Sequence, residues 1–118
     1  MIRRRFLAVL LAALPGVAPA TTPLRLLMIE RQGCPHCRSW LREIGPGYAE
    51  SPQGRRAPLV RIDLDGPFPD GLALARHPWL TPTFILVDGG REIARIEGYP
   101  GARHFYPLLD RMMLDAEN

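Results

Sequence analysis

The stretch Leu24-Arg25-Leu26-Leu27-Met28-Ile29-Glu30-Arg31-Gln32-Gly33-Cys34-Pro35-His36-Cys37-Arg38-Ser39-Trp40-Leu41 carries the decision about fold. Residues 24–30 form an apolar run of strand length, and Arg31-Gln32-Gly33 turns the chain. A helix is expected over residues 34–44. Pro35 suits its first position, where no backbone N–H is needed. Cys37, Trp40, Leu41 and Ile44 then recur at i, i+3, i+4 and i+7, a stripe that faces a sheet. Gly45-Pro46-Gly47 reads as its end.

Residues 45–58 read as a long polar loop, part of which extends the helix or carries recognition. Residues 59–64 (LVRIDL) alternate apolar and polar as a second strand. Residues 65–70 form a turn, and 71–76 have room for one or two helical turns. His77-Pro78-Trp79-Leu80-Thr81-Pro82 is held extended by its prolines. Residues 83–87 (TFILV) are a buried strand, Asp88-Gly89-Gly90 a hairpin turn, and 91–97 (REIARIE) the returning strand. A last helix is expected over 103–114, with Pro107 in or near its first turn. Phe105, Tyr106, Leu108, Leu109 and Met112 form its packing face. The order β-α-β-(α)-β-β-α makes the first two strands parallel and the hairpin pair antiparallel. The fold class is therefore α/β, a four-stranded mixed sheet flanked by helices.

Upstream, Arg3-Arg4-Arg5 precede an apolar run over 6–14, followed by Pro15-Gly16 and Ala18-Pro19-Ala20. A basic stretch, an apolar stretch and an A-x-A site make a secretory signal peptide over 1–20, removed on export to leave a domain over 21–118. The apolar run is about half the ~20 residues a membrane span needs, so no stable membrane insertion follows cleavage. Arg3-Arg4-Arg5-Phe6-Leu7 also matches the core of a twin-arginine signal, so the Sec and Tat routes both stay open. The chain has 118 residues, 15 of them basic and 12 acidic. The three leader arginines account for the whole excess, and no nucleic-acid-binding surface is expected in the domain. Every basic residue is Arg, which excludes lysine-based catalysis.

Cys34-x-x-Cys37 opens a helix directly after a strand. There the unpaired N–H groups and the helix dipole favour a thiolate on the first cysteine. The second, one turn on, can close the ring once a mixed disulfide forms. A structural disulfide across so short a loop would remove little entropy from the unfolded chain. Half of a metal site is the other alternative, with His77 or His104 as the remaining imidazole, yet no second C-x-x-C or H-x-x-H completes a tetrahedral set.

Together these residues resemble the thioredoxin superfamily over most of 24–114. Cys34-Pro35-His36-Cys37 after the first strand, Thr81-Pro82-Thr83-Phe84 entering the third and Gly98 after the hairpin carry the resemblance. It implies a cis Pro82 lying against the active-site disulfide, and a Thr81 backbone that receives an extended substrate segment by strand addition. The domain lacks the extra N-terminal strand and helix of full-length thioredoxins and is similar to the minimal thioredoxin/glutaredoxin-like core. With its leader and the Glu97-Gly98-Tyr99-Pro100-Gly101 turn, the whole chain resembles the small periplasmic thioredoxins encoded with bacterial sulfur-oxidation systems. That implies a periplasmic reductase keeping sulfur-oxidation proteins in their thiol state, with periplasmic protein thiols and disulfides as partners and a membrane thiol-transfer donor.

Two departures from the family stand out. The buried acid of thioredoxins, six residues before the first cysteine, is here Met28. Glu30 lies on the same face by alternation and is the candidate proton acceptor. The Pro35-His36 pair resembles DsbA, the disulfide-forming oxidant, whereas Thr81 resembles the isomerases and reductases. An imidazole beside the thiolate lowers the cost of ionising Cys34, and a more stable reduced form is a stronger oxidant. The expected catalytic set is Cys34, Cys37, His36 and Pro35, with Thr81 and Pro82 binding substrate and neither metal nor cofactor required. A DsbA-like oxidant, a periplasmic Cu(I)-binding protein using the two thiolates and a catalytically silent adaptor are the rival readings. Trp40 and Trp79 are assigned to core or active-site rim, and Arg55-Arg56 to a solvated charge pair.

Overall fold

The computed structural model describes residues 23–118; the expected signal peptide over 1–20 lies outside the described residues. Four strands, β1 (Leu24–Glu30), β2 (Leu59–Asp63), β3 (Thr83–Asp88) and β4 (Arg91–Glu97), form one sheet in the order β2-β1-β3-β4. β1 runs parallel to β2, with Leu26 opposite Leu59 and Met28 opposite Arg61. β3 is antiparallel to both β1 and β4, with Met28 opposite Phe84 and Phe84 opposite Ile96. The mixed sheet expected from the element order is the one that forms.

As a central strand, β1 is buried on both faces, which is why its middle, Leu26–Ile29, reads as an unbroken apolar run. Leu24, Leu26 and Met28 point into one cluster with Cys37, Trp40, Phe84, Leu86, Phe105 and Leu109. Leu27 and Ile29 point the other way, against Ile62, Leu64, Ile85 and Val87. The helices α1 (Pro35–Glu43), α2 (Gly45–Tyr48), α3 (Pro52–Arg56) and α4 (Ala102–Ala116) gather on the first face. The second face is covered by chain without helix, from which Phe68, Leu72 and Leu74 pack inward.

Three expectations need correction. Residues 45–58 are not a loop: α1 ends at Glu43, and α2 and α3 follow as short turns. The side chain of Ser51 caps α3 by accepting from the Gly54 N–H at 2.9 Å, and Tyr48 is buried with its hydroxyl donating to the Ala57 carbonyl at 2.7 Å. Residues 71–76 are not helical. Leu72 and Leu74 turn inward while Ala73 and Ala75 stay exposed, a period of two, and Ala73 forms a parallel bridge with Arg91. A side chain at Gly90 would strike the Gly71 carbonyl, so that glycine permits the segment to dock on the hairpin. Finally, Pro107 is the sixth residue of α4, beyond its first turn. Its side chain is exposed, so the missing donor falls on the solvent face.

Candidate active site

α1 begins at the end of β1, and Cys34 is its N-cap. The Cys34 backbone is extended (φ −91°, ψ 108°), its sulfur accepts from the Cys37 N–H at 3.1 Å, and its carbonyl accepts the first helical bond from Arg38. A cysteine thus fills the place where Ser, Thr or Asp satisfies the orphan donors of a helix. No acidic residue stands in the first turn to compete for those donors. Cys34 and Cys37 are joined as a disulfide, with Cα atoms 5.2 Å apart. Cys34 is 8% exposed and Cys37 only 2%, so an incoming sulfur meets Cys34 first. Pro35 and His36 are both exposed beside it.

The same end of the sheet brings in Thr81 and Pro82. β3 starts opposite the end of β1, with Thr83 paired to Ile29, and β4 ends there, with Glu97 paired to Thr83. The Thr81–Pro82 peptide is cis. Around it the chain is pinned: the Pro82 carbonyl accepts from the Gly98 N–H at 2.8 Å, and the buried Thr83 hydroxyl donates to the Leu80 carbonyl at 2.7 Å. Gly98 has φ 96°, a conformation that side chains rarely adopt. Thr81 is half-buried and Pro82 buried.

Met28 is fully buried in the cluster that holds both cysteines. Arg61, opposite Met28, holds Glu30: its Nε and Nη2 donate to the two carboxylate oxygens at 2.5 and 3.0 Å. This pairing agrees with strand alternation in putting Glu30 on the cysteine-bearing face, and it holds the Arg61 guanidinium above its ordinary value. Trp40, one turn after Cys37, is fully buried against Phe84, Phe105 and Tyr48, with ring centroids 5.3 to 5.9 Å apart. At the far end of α1, the Tyr99 hydroxyl donates to Glu43 at 2.6 Å, tying the turn after β4 to the helix. Burial and that bond hold the Tyr99 phenol above its usual range.

Trp79 is not core: it is 69% exposed. His77 lies against the Phe68 ring at 5.2 Å, and His104 is exposed on α4. Among the described residues, no three His, Cys, Asp or Glu side chains gather as a metal site, and no helix is long and apolar enough to cross a membrane. Sequence reasoning missed one cluster. Glu92 and Arg95, on β4, form a hydrogen-bonded pair at 2.7 Å with side chains 8% and 6% exposed. The only signal for it was a set of charges on a strand whose neighbours are apolar.

Comparison with solved structures shows what this arrangement is similar to. The crystal structure of the periplasmic thioredoxin SoxS from Paracoccus pantotrophus, in its reduced form, matches at 47% identity and a TM-score of 0.77, covering 79% of this chain and 98% of that one. Fasciola hepatica thioredoxin matches at 16% identity and a TM-score of 0.55, covering 77% of this chain and 82% of that one. The protein Trxlp from Edwardsiella tarda matches at 20% and 0.52, covering 76% and 84%. The last two share the fold. No family model matches the chain, and the comparison with curated proteins gives no match.

Proposed function

This chain belongs to the thioredoxin superfamily, in its SoxS type, and is a thiol–disulfide oxidoreductase; on that premise we propose that it works in the periplasm as a dithiol reductase that keeps proteins of a bacterial sulfur-oxidation system in their thiol state. The observation that carries the reading is a cysteine at the N-cap of α1, backed by a more buried second cysteine, at the sheet end where β3 begins after the cis Thr81–Pro82 peptide.

In the forward reaction the Cys34 thiolate attacks one sulfur of a partner disulfide. A mixed disulfide forms, and the partner's other sulfur leaves as a thiolate that takes up a proton. Cys37, as thiolate, then attacks Cys34 Sγ and releases the second partner thiol. Two electrons have passed to the partner, and Cys34–Cys37 is a disulfide again. A membrane thiol-transfer protein is the donor that returns the two electrons, and no cofactor takes part. Pro35 and His36 tune the pair, while Thr81 and Pro82 receive the partner chain as an added strand. For the proton of Cys37 we assign Glu30, the carboxylate that alternation and the Arg61 contact put on the cysteine-bearing face. Replacing Glu30 by Gln should slow release of the partner from the mixed disulfide while leaving the Cys34 attack unchanged, and an unchanged release rate would give the proton to solvent.

The Cys37→Ser variant tests the exchange chemistry. With the resolving sulfur gone, Cys34 should hold partners as mixed disulfides that dissolve in dithiothreitol, and the partners should be exported proteins with reducible cysteines. A variant that traps nothing would instead favour the silent adaptor. The second reading, a DsbA-like oxidant, is favoured by one feature, the exposed His36 beside Cys34.

A further inference from the structure

Only two large apolar side chains are exposed among the described residues, Trp79 and Leu114. Single exposed hydrophobics are ordinary, but Trp79 stands two residues before Thr81, on a segment that is unusually well tied. Pro78 and Pro82, on either side, are buried. Downstream, the carbonyls of Leu80 and Pro82 accept from Thr83 and Gly98. Upstream, the segment is laced to β4. The Ala73 N–H donates to the Gly90 carbonyl at 2.8 Å, and the Glu92 N–H donates to the Ala73 carbonyl at 3.0 Å. The Ala75 N–H donates to the Glu92 carboxylate at 2.9 Å, and Arg95 Nη2 donates to the Arg76 carbonyl at 2.7 Å. Arg76 in turn donates to Glu97 at 2.6 Å.

Burying an ion pair such as Glu92–Arg95 gains little net stability over an apolar pair of the same volume. What it supplies here is direction, because both partners spend hydrogen bonds on the backbone of residues 75 and 76. Those residues lead straight into His77-Pro78-Trp79. The result is an indole in water on a fixed backbone, next to the turn that enters β3 at the sheet end where β1 leads to Cys34. A large aromatic that needs no ordering on association is the kind of side chain on which binding energy concentrates.

We infer that Trp79 is the contact that grips a partner polypeptide beside its reactive disulfide, and that the Glu92–Arg95 pair is the positioning device that holds it there. The inference rests on the disulfide-exchange reading above. The partner is an extended segment with an apolar residue close to its cysteine. Pro78 and Leu80 flank the indole, and the one guanidinium on this segment, that of Arg76, is engaged by Glu97. Trp79 gives affinity and alignment to a protein disulfide; it has no part in the sulfur chemistry.

The test uses the reduced protein with two disulfides, insulin and hydroxyethyl disulfide. Trp79→Ala should lower the ratio of insulin to hydroxyethyl disulfide turnover about tenfold, through KM for insulin, in line with loss of one anchoring side chain. Trp79→Phe should restore most of the ratio, and the Cys34–Cys37 potential should be that of the wild type in all variants. Arg95→Gln should lower the ratio in the same way and increase amide exchange over residues 73–81. If it fails to fold, the Trp79 pair, which is exposed, decides the matter alone. A wild-type ratio in Trp79→Ala overturns the inference and leaves the oxidoreductase reading standing. A changed potential in that variant also overturns it, since Trp79 would then act on the couple. A wild-type protein that reduces neither disulfide overturns the exchange reading, and this inference with it.

Discussion

At the scale of single residues, the redox couple is set by what touches Cys34. Its sulfur sits where a helix offers an unsatisfied N–H, that of Cys37 at 3.1 Å, so the reduced form gains stabilisation as thiolate. His36 is exposed in the same first turn of the helix and adds a polar ring beside the sulfur-bearing N-cap in sequence. Replacing His36 by Gly should therefore raise the Cys34 thiol titration by roughly one unit and make the couple more reducing by about 30 mV, because both changes express about 1.4 kcal/mol. Absorbance of the thiolate against pH measures the first, and an unmoved titration would reduce His36 to a spacer. The redox residues were legible in the sequence because C-x-x-C after a strand has few other uses. The exposure of Trp79 was not, since an aromatic between prolines packs inward or outward according to what covers it.

At the scale of elements, legibility followed periodicity. β1, the stripe on α1 and the β3–β4 hairpin were readable because apolar residues recur at the spacing of the element they form. Residues 45–58 and 71–76 misled for physical reasons. α2 and α3 are single turns rich in Gly and Pro, held by Ser51 and by the buried Tyr48 rather than by helix propensity. Residues 71–76 lie along β4 through backbone bonds to Gly90 and Glu92, partners distant in sequence. The pair that locks this seam has a pH signature. The Arg95 guanidinium, opposed by burial and helped by the Ala75 N–H, holds the Glu92 carboxyl below its ordinary value of 4.5. A carboxylate depressed in the folded state contributes stability above its unfolded pKa and loses it as pH falls through the folded one. Thermal stability should thus drop on acidification below about pH 4.5. The Glu92→Gln variant should show a shallower drop, and parallel curves for the two proteins would remove Glu92 from the acid response.

At the scale of the whole molecule, one sheet end collects the residues to which the proposal assigns the chemistry. β1 delivers Cys34, the start of β3 delivers Pro82, and the end of β4 delivers Gly98. The other helices and the Trp40 cluster hold these three in register. Topology explains the gathering: the parallel crossover and the hairpin together put all three turns at one end of the sheet. The direction of electron flow turns on the potential of the Cys34–Cys37 couple, for which the family resemblance assigns Thr81 to reductases and His36 to oxidants. The measurement that bears on it most directly is the reduction potential of the Cys34–Cys37 couple in glutathione buffers. Tryptophan fluorescence in a Trp79→Phe background follows it, so that the buried Trp40 alone reports. A periplasmic reductase requires a value near or below about −200 mV. A value near about −120 mV would belong to an oxidant and would contradict the account.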